Sequence, residues 1–258
     1  MTDVEIIDLT PDNIAEYGVC GYKDVKKHLE LKRKIEWFKE YYPKGLRIKA
    51  LVLKQGGYQG MLEYIPSKYA HRPVDADGYL FIHCLFVGFK KEFKGKGYGS
   101  ALINECVKDA HKAKMHGVAV VTRKGSFMAN KDIFIKKGFS SVDATPPDFE
   151  LLVLKLNPNA TNPTFRDLKQ QLKKYEKGFF ILRSVQCPYT EKNVNAIVES
   201  AKARFNLEAK VIDLQDAKAV QQSPCAFGAF CIINNGIILS YHPISNTRFV
   251  NIMKKKRK

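Results

Sequence analysis

Three glycines alternate with other residues in KGKGYGS, residues 94–100, between an apolar run and a run with helical periodicity. A helix begins with amide hydrogens that have no partner inside the helix, and the positive end of its dipole lies there. Glycine lets the preceding backbone approach a bound anion closely, and Lys94 and Lys96 add positive charge. The pattern is that of a cradle for the phosphates of a cofactor. A tight strand-to-helix turn that needs small residues would show the same glycines.

Proton transfer is the second chemistry that the residues offer. His83 lies in the apolar run YLFIHCLFV, and Glu63 lies in the strand-like run before it. An imidazole can accept a proton near neutral pH, so His83 is the first candidate for a general base and Glu63 the second. Strand alternation places His83 on the same face as Leu85 and Val87. A hydrogen-bonded histidine of the core would fit the same position.

The runs around these residues alternate between strand and helix patterns. Strand-like runs are VEIIDL, LRIKALVL, GMLEYI, YLFIHCLFV, GVAVVT and DFELLVLKL. Helical patterns are TPDNIAEY, with Thr10 as its cap, DVKKHLELKRKIEWFKEYY, the run from Ala101 to about Lys114, and FMANKDIFIKK, which Gly138 ends. The sequence therefore predicts a mixed α/β domain whose central strand leads through the glycine loop into a helix.

The clearest break in the chain is LNPNATNPTF, residues 156–165. Its two prolines and three asparagines exclude a helix or a central strand. We therefore predict a first domain over residues 1–156, a linker over 157–165 and a second domain over 166–258.

Length and composition favour a folded protein, because 258 residues of which 45% are hydrophobic can bury a large core. The start MTDVEIIDLTPDN has no signal-peptide pattern, and no run approaches the roughly 18 apolar residues that cross a bilayer. We expect a cytoplasmic protein without a membrane partner. The net charge of +17 attracts polyanions, but no nucleic-acid-binding motif is present, which favours solubility and nonspecific attraction over a specific nucleic-acid surface.

The stretch from YLFIHCLFV to FIKKGF resembles the GNAT family of N-acetyltransferases. The family pattern Arg/Gln-x-x-Gly-x-Gly/Ala is filled by Lys94, Gly97 and Gly99, with lysine in place of arginine or glutamine. A second landmark, an asparagine and an aromatic residue on a short helix, appears as Asn130 and Phe134, followed by KKGF. The resemblance covers about the first 155 residues and implies a mixed-sheet acyltransferase fold with acetyl-CoA as cofactor.

By this resemblance, the backbone of Leu85 and Val87 would hold the pantetheine arm, and Asn130 would lie beside it. The diphosphate would bind the amides of Lys94, Gly95, Lys96, Gly97, Tyr98, Gly99 and Ser100. Many members of the family carry a tyrosine at the position of Phe134, where its hydroxyl protonates the departing thiolate. Phenylalanine has no proton to give, so either another group or water serves, or this member is a poor catalyst.

Residues 166–258 begin with a helical pattern and continue in the order βαβαββα, with NNG as a hairpin turn. This order resembles a thioredoxin-like domain, and the region also resembles the YoaP-type extension found behind some GNAT domains. CPYT, residues 187–190, lies where glutaredoxins place Cys-Pro-Tyr-Cys, and Ser223-Pro224 lies where the fold keeps a cis-proline. The predicted fold class is α/β: a mixed-sheet GNAT domain followed by a smaller thioredoxin-like domain.

The six cysteines form no Cys-x-x-Cys pair, so neither a disulfide framework nor a zinc site is indicated. A thiol at a helix N-terminus has a lowered pKa, which makes Cys187 a plausible nucleophile. Thr190 stands where a resolving cysteine would be. In a thioredoxin-like fold, Cys225 could come close to Cys187 and serve as a disulfide partner or a second soft-metal ligand. The alternative is a redox-silent domain that keeps the scaffold for binding.

These observations predict an enzyme that transfers an acetyl group from acetyl-CoA to an amine of a small molecule or a peptide. The second domain would bind the substrate or a partner. The polar loop PSKYAHRPVDADG between two strands of the first domain is a candidate for the acceptor side. The alternative function is a non-catalytic CoA-binding protein whose second domain senses thiols or metals.

Overall fold

The computed structural model describes residues 4–22, 24–53, 57–88 and 95–256. The chain divides into a first unit, Met1–Ala70 with Val74–Phe165, and a second unit, His71–Pro73 with Arg166–Lys258. Residues 157–165, which were predicted as a linker, belong to the first unit. Their last two residues, Thr164 and Phe165, form a strand that pairs with Val74–Asp75 of the same unit.

The main strands of the first unit form one mixed sheet in the order β1-β2-β3-β5-β6-β8-β7, in which β5 and β6 are parallel and the other neighbours are antiparallel. They are Val4–Leu9 (β1), Arg47–Leu53 (β2), Tyr58–Pro66 (β3), Tyr79–Val87 (β5), Gly117–Thr122 (β6), Ser140–Thr145 (β7) and Phe149–Lys155 (β8). A separate short pair joins Val74–Asp75 (β4) and Thr164–Phe165 (β9). The predicted mixed α/β fold is confirmed. Strand β7 was not predicted, because this edge strand, SSVDAT, has no run of apolar residues.

The helices of the first unit are Ile14–Tyr17 (α1), Leu29–Tyr41 (α2), Tyr98–Lys112 (α3) and Lys131–Ile135 (α4). Helix α3 begins at Tyr98 rather than at Ala101 and buries Leu102, Ile103, Cys106 and Ala110 on one face. Helix α1 does not begin at Thr10, because the Asn13 side chain accepts a hydrogen bond from Thr10 N at 2.7 Å and forms a turn ahead of the helix.

The second unit contains a smaller sheet in the order β11-β10-β12-β13, with β10 and β11 parallel and the other neighbours antiparallel. Its elements are Leu168–Leu172 (α5), Phe179–Arg183 (β10), Val194–Phe205 (α6), Ala209–Asp213 (β11), Ala217–Gln221 (α7), Phe230–Asn234 (β12), Ile237–Ser240 (β13) and Asn246–Lys256 (α8). From β10 onward the order is βαβαββα, as predicted. Asn235 and Gly236 both have positive φ in the β12–β13 turn, which is the hairpin chemistry that Asn-Gly supplies.

No helix in the described ranges is both long and apolar enough to cross a membrane.

Candidate functional site

The parallel strands β5 and β6 pair only over their first residues, from Tyr79↔Gly117 to Ile82↔Val120. Beyond this pairing a narrow cavity is lined by residues of β5, of β6, of the segment after β6 and of α4. Its lining includes Leu85 and Phe134. The carboxyl ends of parallel strands are where open α/β sheets bind ligands, so this opening is the natural centre of a site.

A larger cleft of about 510 Å³ lies at the start of α3. This volume is within the usual range for a small-molecule site. The cleft is lined by Val87, Gly88, Gly95, Gly97, Tyr98, Gly99, Ser100, Asn130, Asp132, Ile133 and Lys136. The structure thus brings together most of the residues predicted to hold a cofactor. Lys96 is exposed and is not among the lining residues, and Lys94 lies outside the described residues.

The glycines of the loop have two different roles. Gly95 and Gly97 have φ of +71° and +78°, and a Cβ on either would meet no described atom within 4 Å. The backbone conformation therefore favours glycine at both positions. A Cβ on Gly99 would instead lie 2.6 Å from Ile133 Cδ1, so this glycine allows α3 to approach α4 closely. Gly99 thus serves the tight turn, while Gly95 and Gly97 line the cleft where the cradle was predicted.

The first turn of α3 borders the cleft. Gly97 caps the helix in the left-handed conformation, and the first helical hydrogen bond runs from Ala101 N to Gly97 O at 2.9 Å. The amides of residues 98–100 come before this bond and have no helical acceptor, and these residues line the cleft. Amides and the helix dipole together favour an anion at this end.

Asn130 and Phe134 hold the other side of the site. Asn130 is the N-cap of α4: its side chain accepts a hydrogen bond from Asp132 N and donates one to Asp132 Oδ2 at 2.9 Å. Phe134 is fully buried and packs edge-to-face on Phe139, with the ring centroids 5.4 Å apart. Phe134 therefore forms a hydrophobic wall of the narrow cavity and offers no group for proton transfer.

His83 sits in a β-bulge. In the pairing of β3 with β5, Glu63 is opposite Cys84 and Tyr64 is opposite Ile82, which leaves His83 as the extra residue. A bulge breaks the alternation of side chains along a strand.

The bulge changes the predicted face of His83. Leu85 and Val87 pack on the same core as Leu80 and Ile82, which α3 covers. His83 instead contacts α2, with its ring centroid 6.2 Å from that of Trp37. The prediction that His83 shares a face with Leu85 and Val87 was therefore wrong. His83 still belongs to the lining of the narrow cavity.

A buried network joins the two predicted catalytic residues to a lysine that the sequence analysis missed. His83 Nδ1 lies 3.0 Å from Glu63 Oε1, and Lys34 Nζ lies 2.5 Å from Glu63 Oε2. All three side chains are fully buried, and the Lys34 ammonium also lies 3.9 Å from the centroid of the Trp37 ring. Helical spacing alone predicts that Lys34 is buried, because Lys34 falls within the apolar stripe of Leu31, Ile35 and Phe38.

Glu63 is ionised in this network. Burial raises the pKa of its carboxyl, but the charge of Lys34 and the hydrogen bonds from His83 and Lys34 outweigh burial and lower the pKa from 4.5 to about 2. A carboxylate only accepts hydrogen bonds, so a neutral His83 must carry its proton on Nδ1. The lone pair is then on Nε2, which is the arrangement that a histidine base requires.

Protonation of Glu63 at low pH is expected to lower the free energy of unfolding by about 3 kcal/mol. A carboxyl whose pKa is lower in the folded than in the unfolded protein stabilises the fold at pH values above its unfolded pKa of 4.5. This stabilisation is lost as the pH falls toward 2. Glu63→Gln should be less stable at neutral pH, because Lys34 loses its partner, and it should lose less stability over this interval. Urea unfolding of both proteins between about pH 5 and pH 2 checks this. Parallel losses in the two would contradict it.

The cysteines of the second unit differ from the prediction. Cys187 precedes a short 3-10 turn, Pro188–Thr190, and α6 begins only at Val194, so Cys187 is not at the start of the long helix. Thr190 Oγ1 lies within 2.9 Å of the carbonyls of Ser184 and Cys187.

Cys225 is fully buried, and its Sγ lies 3.6 Å from Tyr241 O. Burial raises the pKa of Cys231 well above its usual value, and the neighbouring Cys225 adds to this rise. Cys231 is thus a thiol that lies near Cys225 in this core. In the described residues the cis peptide bond is Pro146-Pro147, so the expectation of a cis bond at Ser223-Pro224 was wrong.

Part of the predicted acceptor loop belongs to the second unit. His71 and Arg72 are buried there, with His71 Nδ1 3.1 Å from Ser184 Oγ and an Arg72 nitrogen 3.3 Å from Gln186 Oε1. The Arg72 guanidinium lies 5.2 Å from the Phe227 ring centroid. Residues 71–73 are therefore fixed by the core of the second unit.

Comparison with known proteins gives similarities over the whole chain and over parts of it. A family model described as YoaP-like matches residues 209–251. The protein named "Uncharacterized N-acetyltransferase YoaP" from Bacillus subtilis (strain 168) is 25% identical over 250 residues, which cover 96% of this chain and 97% of that protein.

Two solved structures are similar to the chain at low identity. The GNAT family N-acetyltransferase YhbS from Escherichia coli, in complex with CoA, is 12% identical, with a TM-score of 0.40 over 65% of this chain and 92% of that one. The PaiA N-acetyltransferase from Thermoplasma acidophilum, in complex with coenzyme A, is 15% identical, with a TM-score of 0.39 over 58% of this chain and 98% of that one.

Proposed function

We propose that this protein is an N-acetyltransferase that uses acetyl-CoA to acetylate an amine. The observation that carries the proposal is the cleft at the start of α3. Residues from separate parts of the sequence, predicted to bind the cofactor, line this one cleft, and neighbouring positions of β5 and α4 line the narrow cavity. Full-length similarity to the Bacillus subtilis protein, which is named an N-acetyltransferase, supports the same activity.

The residues of the cleft fit the chemistry of acetyl-CoA. The amides of Gly97–Ser100 at the positive end of α3 suit the diphosphate, and the open space beside Gly95 and Gly97 leaves room for it. The backbone of Leu85 and Val87 and the Asn130 amide would hold the pantetheine arm. Lys136 lines the same cleft and adds a positive charge for a phosphate. When bound, acetyl-CoA supplies an acetyl group on a thioester with a good leaving thiolate.

His83 would act as the proton acceptor. A protonated amine has no lone pair, so the amine must lose a proton before or during its attack. His83 Nε2 takes this proton, while Glu63 holds the ring through Nδ1. In the reaction the nitrogen–carbon bond of the amide forms, the carbon–sulfur bond breaks, and the proton lost by nitrogen is balanced by one gained by sulfur. Phe134 cannot donate that proton, so His83 or water returns it.

The second unit is proposed to be a thioredoxin-like module that binds the acceptor or a partner. The order βαβαββα and the sheet order β11-β10-β12-β13 with one parallel pair support this assignment, and the YoaP-like match lies within it.

Cys187 is expected to be alkylated no faster than free cysteine. No long helix begins at Cys187, so the helix dipole that would lower its pKa and activate its thiol is missing. Iodoacetamide labelling at neutral pH, followed by peptide mapping, measures the rate. Labelling of Cys187 much faster than free cysteine would instead indicate an activated thiol.

Free-thiol release from acetyl-CoA across a panel of polyamines, aminoglycosides, amino acids and peptides tests the activity. Release that requires both the protein and one class of amine supports an N-acetyltransferase and identifies its acceptor class. Tight binding of acetyl-CoA without release for any amine would contradict the activity and favour a non-catalytic CoA-binding protein.

A further inference from the structure

We propose that Lys34 is a positioning residue that keeps His83 neutral, and therefore able to accept a proton, by neutralising Glu63. This inference rests on the proposed function for its catalytic meaning, but it makes a separate claim about the charge of one imidazole. Neither the family pattern nor the sequence periodicity assigned a role to Lys34.

The charges in the buried network carry the argument. Lys34, Glu63 and His83 are in direct contact, with 2.5 Å between Lys34 Nζ and Glu63 Oε2 and 3.0 Å between Glu63 Oε1 and His83 Nδ1. With a neutral imidazole, one ammonium balances one carboxylate. Protonation of His83 would leave a net positive charge away from water, which is costly.

Without Lys34, the balance reverses. A buried carboxylate beside a histidine favours the protonated imidazole, because an opposite charge within hydrogen-bond distance stabilises the charged form. The pair of Glu63 and His83 would then hold one more proton. An imidazolium has no lone pair, so the base would be lost at neutral pH even though its position is unchanged.

Three neighbouring side chains do not supply this balance. Trp37 and Phe81 flank the His83 ring and carry no charge. Tyr58 of β3 interacts electrostatically with Glu63 and with the Cys20 and Cys84 thiols, and burial raises its pKa well above 10, which keeps it neutral. Lys34 is a cation in direct contact with Glu63.

Two variants test the role of Lys34. Lys34→Met removes the charge and keeps a long apolar chain, while Lys34→Met/Glu63→Gln removes both charges and restores the balance with a neutral imidazole. The glutamine that Glu63→Gln introduces can still accept a hydrogen bond from His83 Nδ1 through its side-chain oxygen. The double variant should also be more stable than Lys34→Met, since it leaves no buried charge without its partner.

The direct readout is a titration of the His83 imidazole by NMR, with the resonance assigned by its loss in His83→Gln. We expect His83 to be neutral at pH 7 in the wild type and in the double variant, and protonated in Lys34→Met. In Lys34→Met, the pKa of the acid limb in the pH profile of kcat/KM should rise by at least about one unit. At pH values below this pKa, kcat/KM should then be about tenfold lower than in the wild type. The double variant should recover this loss.

An imidazole that stays neutral in folded Lys34→Met would overturn the proposal. If Lys34→Met does not fold, a protonated His83 in the double variant would overturn it equally, because no carboxylate remains to attract the proton. The imidazole titration does not depend on turnover. A wild type that acetylates no amine would therefore refute the proposed function, while the charge of His83 would be decided separately.

Discussion

Replacing Gly97 by glutamate should weaken acetyl-CoA binding by about a hundredfold or more. Gly97 caps α3 with a φ of +78°, a conformation that costs other residues about 1 kcal/mol or more. The larger effect comes from the carboxylate, which would occupy the positive end of α3 and repel the diphosphate. Calorimetric titration of acetyl-CoA into the two proteins measures the difference.

Two control variants separate the charge from the backbone cost. Gly97→Asn tests the same position with a neutral residue that tolerates the left-handed conformation, and it should retain most of the affinity. Gly236→Glu places the same side chain at a φ of +74° in the hairpin of the second unit and should bind acetyl-CoA like the wild type. If Gly97→Glu also bound like the wild type, the glycines would only form a turn.

His83→Gln is expected to lower kcat more than tenfold, with the affinity for acetyl-CoA intact. Glutamine can still donate a hydrogen bond to Glu63, so the network keeps its shape, but its amide cannot accept a proton. His111→Gln, at an exposed position of α3, is the matched control and should leave turnover unchanged. Initial rates under saturating amine, with calorimetry for the cofactor, provide the two readouts.

Equal turnover of His83→Gln and the wild type would remove His83 as the base. Partial recovery of His83→Gln at high pH, where more of the amine is already neutral, would support the assigned role.

The glycine loop was predictable because its signal is local. Positive φ favours glycine at Gly95 and Gly97, and the approach of α3 to α4 favours it at Gly99, so the preference is visible in the sequence itself. The central strands were also predictable, because the alternation of apolar residues along each strand is local in the sequence. The edge strand β7 has no apolar run and was missed.

The buried network of Lys34, Glu63 and His83 was only half predictable. The sequence gives no sign of the bulge that turns His83 toward α2, because a bulge depends on how two strands pair. Lys34 received no role from the sequence, although its position in the apolar stripe of α2 marks it as buried. Buried charge pairs depend on tertiary contacts, which helical spacing alone does not show.

The cysteines of the second unit were the least predictable. The motif CPYT suggested a helix that begins at Cys187, but the chain forms a 3-10 turn there, and α6 starts later. Cys231, which received no role from the sequence, lies near Cys225, because both are buried in the core at β12 and the segment before it. The order of elements, in contrast, followed from periodicity and turn residues.

The most direct test of the central claim is to follow a deuterated acetyl group from acetyl-CoA into an amine by mass spectrometry. An N-acetyltransferase should form labelled amide in step with CoA release. This product should require the wild-type protein and should be strongly reduced in Gly97→Glu. Label that appears only as free acetate, or on amines at the same rate without the protein, would contradict an N-acetyltransferase.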